Sequence, residues 1–214
     1  SIYKYSINDI EKINGRGNSR LYKLSTSKGD IVLKDYPDLL NDPRKRLMTE
    51  VNALNMIKGF NQTPKVAAFD ELQNIAIYEW IKGVHLSNIN NKHILEALRF
   101  IEKIQKAKGK DSCELASEAC LSAKHLFTQI DDRLKKLLLV DNQDLQIFLN
   151  IVFKPLWSQA KKWSNQHWPS DNITNNLPSS MQVLSPSDFG FHNALLKDNK
   201  LYFLDFEYFG RDDP

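Results

Sequence analysis

The sequence predicts an α+β fold of two lobes: an N-terminal antiparallel sheet with one helix, then a mainly helical C-terminal lobe into which a small β-hairpin is set. Three patterns predict it. Strand-like alternation fills the first third, helical spacing of apolar residues fills the middle, and strand character returns near residue 181. The connector-like run Ile81-Lys82-Gly83 puts the boundary between lobes 1–81 and 82–214. With 214 residues and 42% hydrophobic content the chain can bury a real core, which excludes disorder.

Each element has its own signal. Tyr5 to Ile13, Leu21 to Ser25 and Ile31 to Tyr36 alternate as strands, the last two joined by a Ser27-Lys28-Gly29-Asp30 turn. Asp42 and Pro43 read as an N-cap and a first-turn proline for a helix bearing Leu47, Val51, Leu54 and Ile57 on one face. Lys65 to Phe69 and Asn74 to Trp80 complete the sheet. Leu95, Leu98, Ile101 and Ile104 then take up a helical period, followed by two more helical patterns over Ala116 to Val140 and Leu145 to Trp163. Met181 to Leu184 and Leu201 to Phe206 are strands of the β-insert. There is no internal repeat and no low-complexity tract.

Composition narrows the function classes. Twenty-nine basic and 26 acidic residues spread along the chain give a net charge of +3, too balanced to point to a nucleic-acid partner or a membrane surface. No apolar run approaches the roughly 20 residues that span a bilayer. Cys113 and Cys120 lack CxxC spacing and nothing resembles a secretory signal, so a reducing cytoplasm is expected. The sequence starts without Met and stops abruptly at Pro214, so a C-terminal continuation is expected as well. Oligomeric state is not legible.

The chemistry concentrates in SPSDFGFHNALLKDNKLYFLDFEY. Phosphoryl transfer from ATP needs metal ions on the phosphates and a carboxylate to orient the attacking hydroxyl and accept its proton. Asp188, Asn193 and Asp205 flank two short apolar runs separated by the turn-forming Lys197-Asp198-Asn199-Lys200. A hairpin centred near Asn199 sets Asn193 opposite Asp205, where an amide oxygen and a carboxylate can share one magnesium ion. Asp188 then faces the phosphoryl group from the substrate side. The plainer alternative makes Asp188 a turn cap and Asp205 and Glu207 solvated strand-end charges. An Asp between Leu204 and Phe206 on an apolar strand end, however, is costly unless it is paired or metal-bound. His192 beside Asn193 is a phosphate contact or, more commonly for such a residue, a structural hydrogen-bond donor.

A second set of candidates lies upstream. Gly15 and Gly17, with Asn18 and Ser19, form a turn between strands whose N–H groups can approach phosphates, although two glycines there also suit an ordinary β-turn. Lys34 ends the run Ile31-Val32-Leu33, and Glu50 lies beside the Leu47, Val51 and Leu54 stripe, at the margin of the face packed on the sheet. An ion pair between them is expected, against an edge-strand lysine and a Glu50 contact to Lys45 or Arg46. Backbone groups at Glu79 and Ile81 can take adenine, with Trp80 or Ile81 packing nearby.

Together these motifs resemble the aminoglycoside phosphotransferase and choline kinase family, whose fold is related to that of protein kinases. The family's HxDxxxxN loop aligns with PSDFGFHN, which implies Asp188 as the catalytic Asp and Asn193 as the metal-binding Asn. FLDFEYFGRDDP resembles its IDFEY segment and implies Asp205 as the main magnesium ligand, Lys34 as the ATP-phosphate lysine, Glu50 as its partner and residues 78–83 as hinge. Pro186 departs from the pattern, standing where the family usually has His. The resemblance implies an ATP- and Mg2+-dependent small-molecule kinase with a hydroxyl acceptor such as choline, ethanolamine, an amino sugar or another sugar. A silent Mg-nucleotide-binding protein of the same fold is the alternative. A protein kinase fits less well, since FEY replaces DFG and no APE-like end is visible. Trp157, Trp163, Trp168, Phe127 and Tyr208 could line an aromatic pocket for an amine, but core packing is the expected role, above all for Trp157 and Trp163 on an apolar helix.

Overall fold

The computed structural model describes residues 6–13, 18–40 and 42–214. Strands β1 (Ile7–Ile13), β2 (Arg20–Thr26), β3 (Gly29–Asp35), β4 (Val66–Asp70) and β5 (Ile75–Glu79) form an antiparallel sheet in the order β1-β2-β3-β5-β4. Helix α1 (Arg46–Met56) follows β3. Its Leu47, Val51 and Leu54, spaced for one helical face, are all buried.

This helix starts later than Asp42-Pro43 suggests. Its N-cap position is Lys45, with no side-chain cap, because the Asp42 carboxylate accepts instead from the guanidinium groups of Arg44 and Arg46. The same carboxylate also accepts from the Arg44 backbone N–H at 3.3 Å, a turn-type bond made three residues ahead of the helix N-cap.

Contacts divide the chain into two compact units, one of residues 1–119 and 183–212, the other of residues 120–182 with 213–214. The expected boundary at 81/82 lies inside the first unit. Beyond the sheet, that unit holds β6 (Val84–His85), α2 (Asn91–Gln105), β7 (Val183–Ser185), β8 (Ala194–Lys197), β9 (Lys200–Phe203) and β10 (Gly210–Asp212). Asn90 and His93 form a capping box at the start of α2. The buried stripe of α2 is Ala97, Phe100 and Ile104, whereas Leu95 and Leu98, expected on that face, are exposed. Phe100, Phe203 and Phe206, all fully buried, join Leu54, Ile57 and Leu184 in one core, with Phe100 stacked on Phe203 at 4.4 Å.

The hairpin corrects the expected register by one residue. Asp198 and Asn199 both adopt positive φ, at 50° and 58°, as in a two-residue type I′ turn, so the turn centres between them rather than on Asn199. Ala194 pairs with Phe203 and Lys197 with Lys200. Asn193 therefore meets Leu204, whose N–H donates to the Asn193 carbonyl at 2.8 Å, and not Asp205. Strand β9 ends at Phe203, short of the expected Phe206.

The second unit is helical: α3 (Ala123–Leu137), α4 (Gln143–Phe148), a π-helical turn (Leu149–Phe153), α5 (Lys154–His167) and α6 (Ser170–Thr174). Ser122 and Asn142 cap α3 and α4 through their side chains. The expected aromatic core does not form there. Trp163 is 53% exposed, because its helix turns Ser164 inward instead. Trp157 is half-buried, edge-on to Phe127 and donating to Asp131 at 2.6 Å, so its indole N–H is satisfied by a carboxylate that also pairs with Lys161. Among the described residues, no helix is long and apolar enough to cross a membrane.

Candidate active site

The site builds from two Asp-Phe steps. Phe189 packs against Phe203 at 4.9 Å and Phe206 is fully buried, so each phenyl ring anchors its segment in the core and leaves Asp188 and Asp205 at the margin. Both segments pass through left-handed backbone, with φ of 63° at Ser187 and 65° at Asp205. A non-glycine residue held there costs on the order of 1 kcal/mol, which the anchoring phenylalanines offset.

Around Asp205 the structure assembles an ion cluster. Lys34 on β3 is buried, and its ammonium donates to Glu50 Oε2 at 2.7 Å and Asp205 Oδ1 at 2.6 Å, with Glu207 Oε2 at 2.9 Å. The expected Lys34–Glu50 pair is thus present, and Glu50 is buried rather than marginal at 3% exposure. Burial opposes the charge on Lys34, but the carboxylates of Glu50, Asp205 and Glu207 more than reverse this and hold its pKa well above the usual lysine range. Burial raises the Glu50 pKa, with Lys34 pulling the other way.

Glu50 is fixed from every side. Tyr36 O–H donates to Glu50 Oε2 at 2.7 Å and the Phe206 N–H donates to Oε1 at 3.2 Å. Behind it, the Tyr36 and Tyr78 hydroxyls, both buried, lie 2.5 Å apart, and burial drives both pKa values far upward, so both stay neutral. Tyr36→Phe removes one donor from a buried carboxylate and strands the Tyr78 hydroxyl. It is expected to lower stability by about 1–3 kcal/mol, read as a shifted urea midpoint.

Two residues of this cluster escape the sequence reading. Glu207, read above as a solvated charge, is 4% exposed and accepts from Arg46, itself buried, and from Ser19 Oγ at 3.2 Å. The available signal for Arg46 was spacing: Arg46 and Glu50 are four residues apart, the interval that puts side chains on one face of α1. Hydrogen bonds from Arg44, with Arg46 adding to them, hold the Asp42 carboxyl well below its ordinary value. A depressed carboxylate stabilises the fold above its unfolded pKa and loses that contribution as pH falls. Asp42→Asn is therefore expected to be less stable than the parent chain at pH 6, with the gap narrowing toward pH 3 in paired urea titrations.

The second group lies on the Asp188 loop. Asn193 Nδ2 donates to the Asp188 carbonyl at 3.1 Å and lies 3.5 Å from Asp188 Oδ2, while His192 Nε2 is 3.2 Å from Oδ1. The structure thus joins Asn193 to Asp188, and Asp205 to Lys34, Glu50 and Glu207. The two groups meet through the Leu204 to Asn193 backbone bond. Asp205, Glu50 and Glu207 bring ligand oxygens within 4.8 Å of one another. Against three carboxylates stand two cations, Lys34 and Arg46, so the cluster keeps one net negative charge. Hard oxygen donors with residual negative charge suit Mg2+.

Of the nucleotide candidates, Gly15 and Gly17 lie outside the described residues, Asn18 is exposed and Ser19 holds Glu207. The Glu79 N–H donates to the Lys65 carbonyl and the Ile81 carbonyl accepts from the Gly83 N–H. Ile81 is buried, and Lys23 lies over the Trp80 ring at 5.2 Å.

The profile described as "Phosphotransferase enzyme family" (APH) matches residues 9–214. No curated protein matches the sequence. Among solved structures, spectinomycin phosphotransferase APH(9)-Ia, bound to ADP and spectinomycin, superposes with a TM-score of 0.62 at 14% identity, over 97% of this chain and 66% of that one. Choline kinase LicA from Streptococcus pneumoniae gives 0.60 at 17% identity, over 98% and 66%. Plasmodium vivax ethanolamine kinase gives 0.58 at 16%, over 96% and 57%. The chain thus spans less than two thirds of each of these proteins, and shares with them the α+β kinase-like fold that the sequence predicts. With the family profile covering nearly its whole length, the chain belongs to the APH phosphotransferase enzyme family.

Proposed function

We propose that this chain transfers the γ-phosphate of ATP to a hydroxyl of a small molecule: an amino alcohol such as choline or ethanolamine, an amino sugar or another sugar. The observation that carries the reading is the Lys34 cluster, a buried ammonium among Glu50, Asp205 and Glu207, with the Asp188–Asn193 loop joined to it through one backbone bond. Ligands named for the similar structures support it: ADP with spectinomycin, and AMP-PNP with Ca2+ in amicoumacin kinase.

Within this reading Asp188 orients the acceptor hydroxyl and takes its proton. Lys34, held by Glu50, binds the phosphates, assisted by the 15–19 turn, and residues 79–81 receive adenine. Asp205 and Asn193 would hold Mg2+, with Glu207 beside them, and the ion would neutralise charge on the phosphates. To accept it, Asp205 would exchange part of its Lys34 contact, whereas Asn193 donates to Asp188 through Nδ2 and so would offer its amide oxygen to the ion without leaving Asp188. Pro186, standing where the family usually has His on this loop, favours one second reading, a silent Mg-nucleotide-binding protein.

ADP release from Mg-ATP with a panel of choline, ethanolamine, spectinomycin and simple sugars separates the two. Acceptor-dependent release is expected. Tight ATP binding with no release above background for any acceptor supports the silent protein.

A further inference from the structure

We infer that His192 is a positioning residue for the Asp188 carboxylate, and that residue 190 is glycine to make room for its ring. The inference rests on the reading of Asp188 as the base. Two independent observations carry it. First, His192 Nε2 lies 3.2 Å from Asp188 Oδ1, while Asn193 Nδ2 lies 3.5 Å from Oδ2, so each carboxylate oxygen has its own neighbour from the turn Phe191–Asn193. Second, Gly190 has φ −175° and ψ 173°, extended backbone open to any residue, so its conformation does not call for glycine. Space does. A Cβ on residue 190 would stand 2.7 Å from both Cε1 and Nδ1 of His192, inside the closest approach of real carbon atoms.

The imidazole therefore presents its Cε1–Nδ1 edge to Gly190, with Nε2 turned to Asp188. In the neutral ring carrying its proton on Nε2, that nitrogen donates to Oδ1. The side chains are 63% and 52% exposed, so the contact adds little to stability. Its consequence is directional. One oxygen engaged by imidazole and the other beside an amide fix the rotation of the carboxyl group, and with it the lone pair offered to the acceptor hydroxyl. Misplacing such a group by about 1 Å costs on the order of 100-fold in rate.

A double-mutant cycle tests this, with turnover read against the acceptor panel above and the imidazole read directly by 15N NMR. His192→Ala is expected to lower kcat by about 10- to 100-fold with little change in KM for ATP. His192→Gln, which keeps an N–H donor, should recover most of the loss. Gly190→Ala should lower kcat comparably in the parent chain, yet add nothing in the His192→Ala background, where no ring remains to be displaced. The imidazole resonances should show a proton on Nε2 and move in both Asp188→Asn and Gly190→Ala. Equal losses from Gly190→Ala in both backgrounds, parental kcat in His192→Ala, or imidazole resonances indifferent to Asp188→Asn overturn the assignment. If the parent chain turns over no acceptor, the proposed function fails and the NMR arm alone decides the contact.

Discussion

Replacing Asp188 by Ala should reduce turnover about 1,000-fold while leaving Mg-ATP affinity within a factor of a few. A positioned general base contributes about 10²- to 10⁴-fold. Asp188 contacts only His192 and Asn193 among the polar groups of the loop, and its side chain is half exposed. Removing it therefore leaves no buried charge unpaired and should cost little stability. Asp188→Asn keeps the shape and is expected to be as inactive, because an amide cannot accept the proton. Calorimetric ATP titration beside steady-state rates checks both halves. Retained turnover in either variant removes Asp188 from the role of base.

The largest effect on stability should come from Lys34→Met. The ammonium is buried against Glu50, Asp205 and Glu207, and Glu50 and Glu207 are themselves buried. Deleting the cation leaves these carboxylates facing one another with only Arg46 to compensate, at a cost of about 3–5 kcal/mol. The variant should therefore unfold at markedly lower urea, and should lose ATP affinity as well. Glu50→Gln offers a milder control: the amide fills the same space and its one oxygen can still accept from either Tyr36 or the Phe206 N–H, which use different oxygens of Glu50. A Lys34→Met chain as stable as the parent would show that the cluster does not hold in solution.

The residues that carry charge into the site were legible because each stands in a short motif whose spacing has a mechanical meaning. Lys34 closes an apolar strand, Glu50 sits on the buried stripe of α1, and Asp188 and Asp205 are each followed by a phenylalanine that the core needs. What escaped depends on tertiary packing. The hairpin register turned on whether Asp198 and Asn199 would both take positive φ, and that single residue decides whether Asn193 faces Leu204 or Asp205. The burial of Arg46 and Glu207 comes from pairing with each other across 161 positions of sequence, which no local pattern reports. Tyr36 and Tyr78 carry the expected strand alternation, yet their facing hydroxyls follow from β3 and β5 being neighbours in the sheet. On α2, apolar residues are frequent enough that more than one face looks equally buried, and only packing selects Ala97, Phe100 and Ile104.

Phosphoryl transfer itself is tested most directly by 31P NMR of the chain with Mg-ATP and the acceptor panel. A phosphomonoester resonance should grow as the γ-phosphate signal of ATP declines, and should be absent with Asp188→Asn. Growth of inorganic phosphate alone, or equal ester formation by the Asp188→Asn chain, would contradict a site in which Asp188 delivers an acceptor hydroxyl to a phosphate held at Lys34.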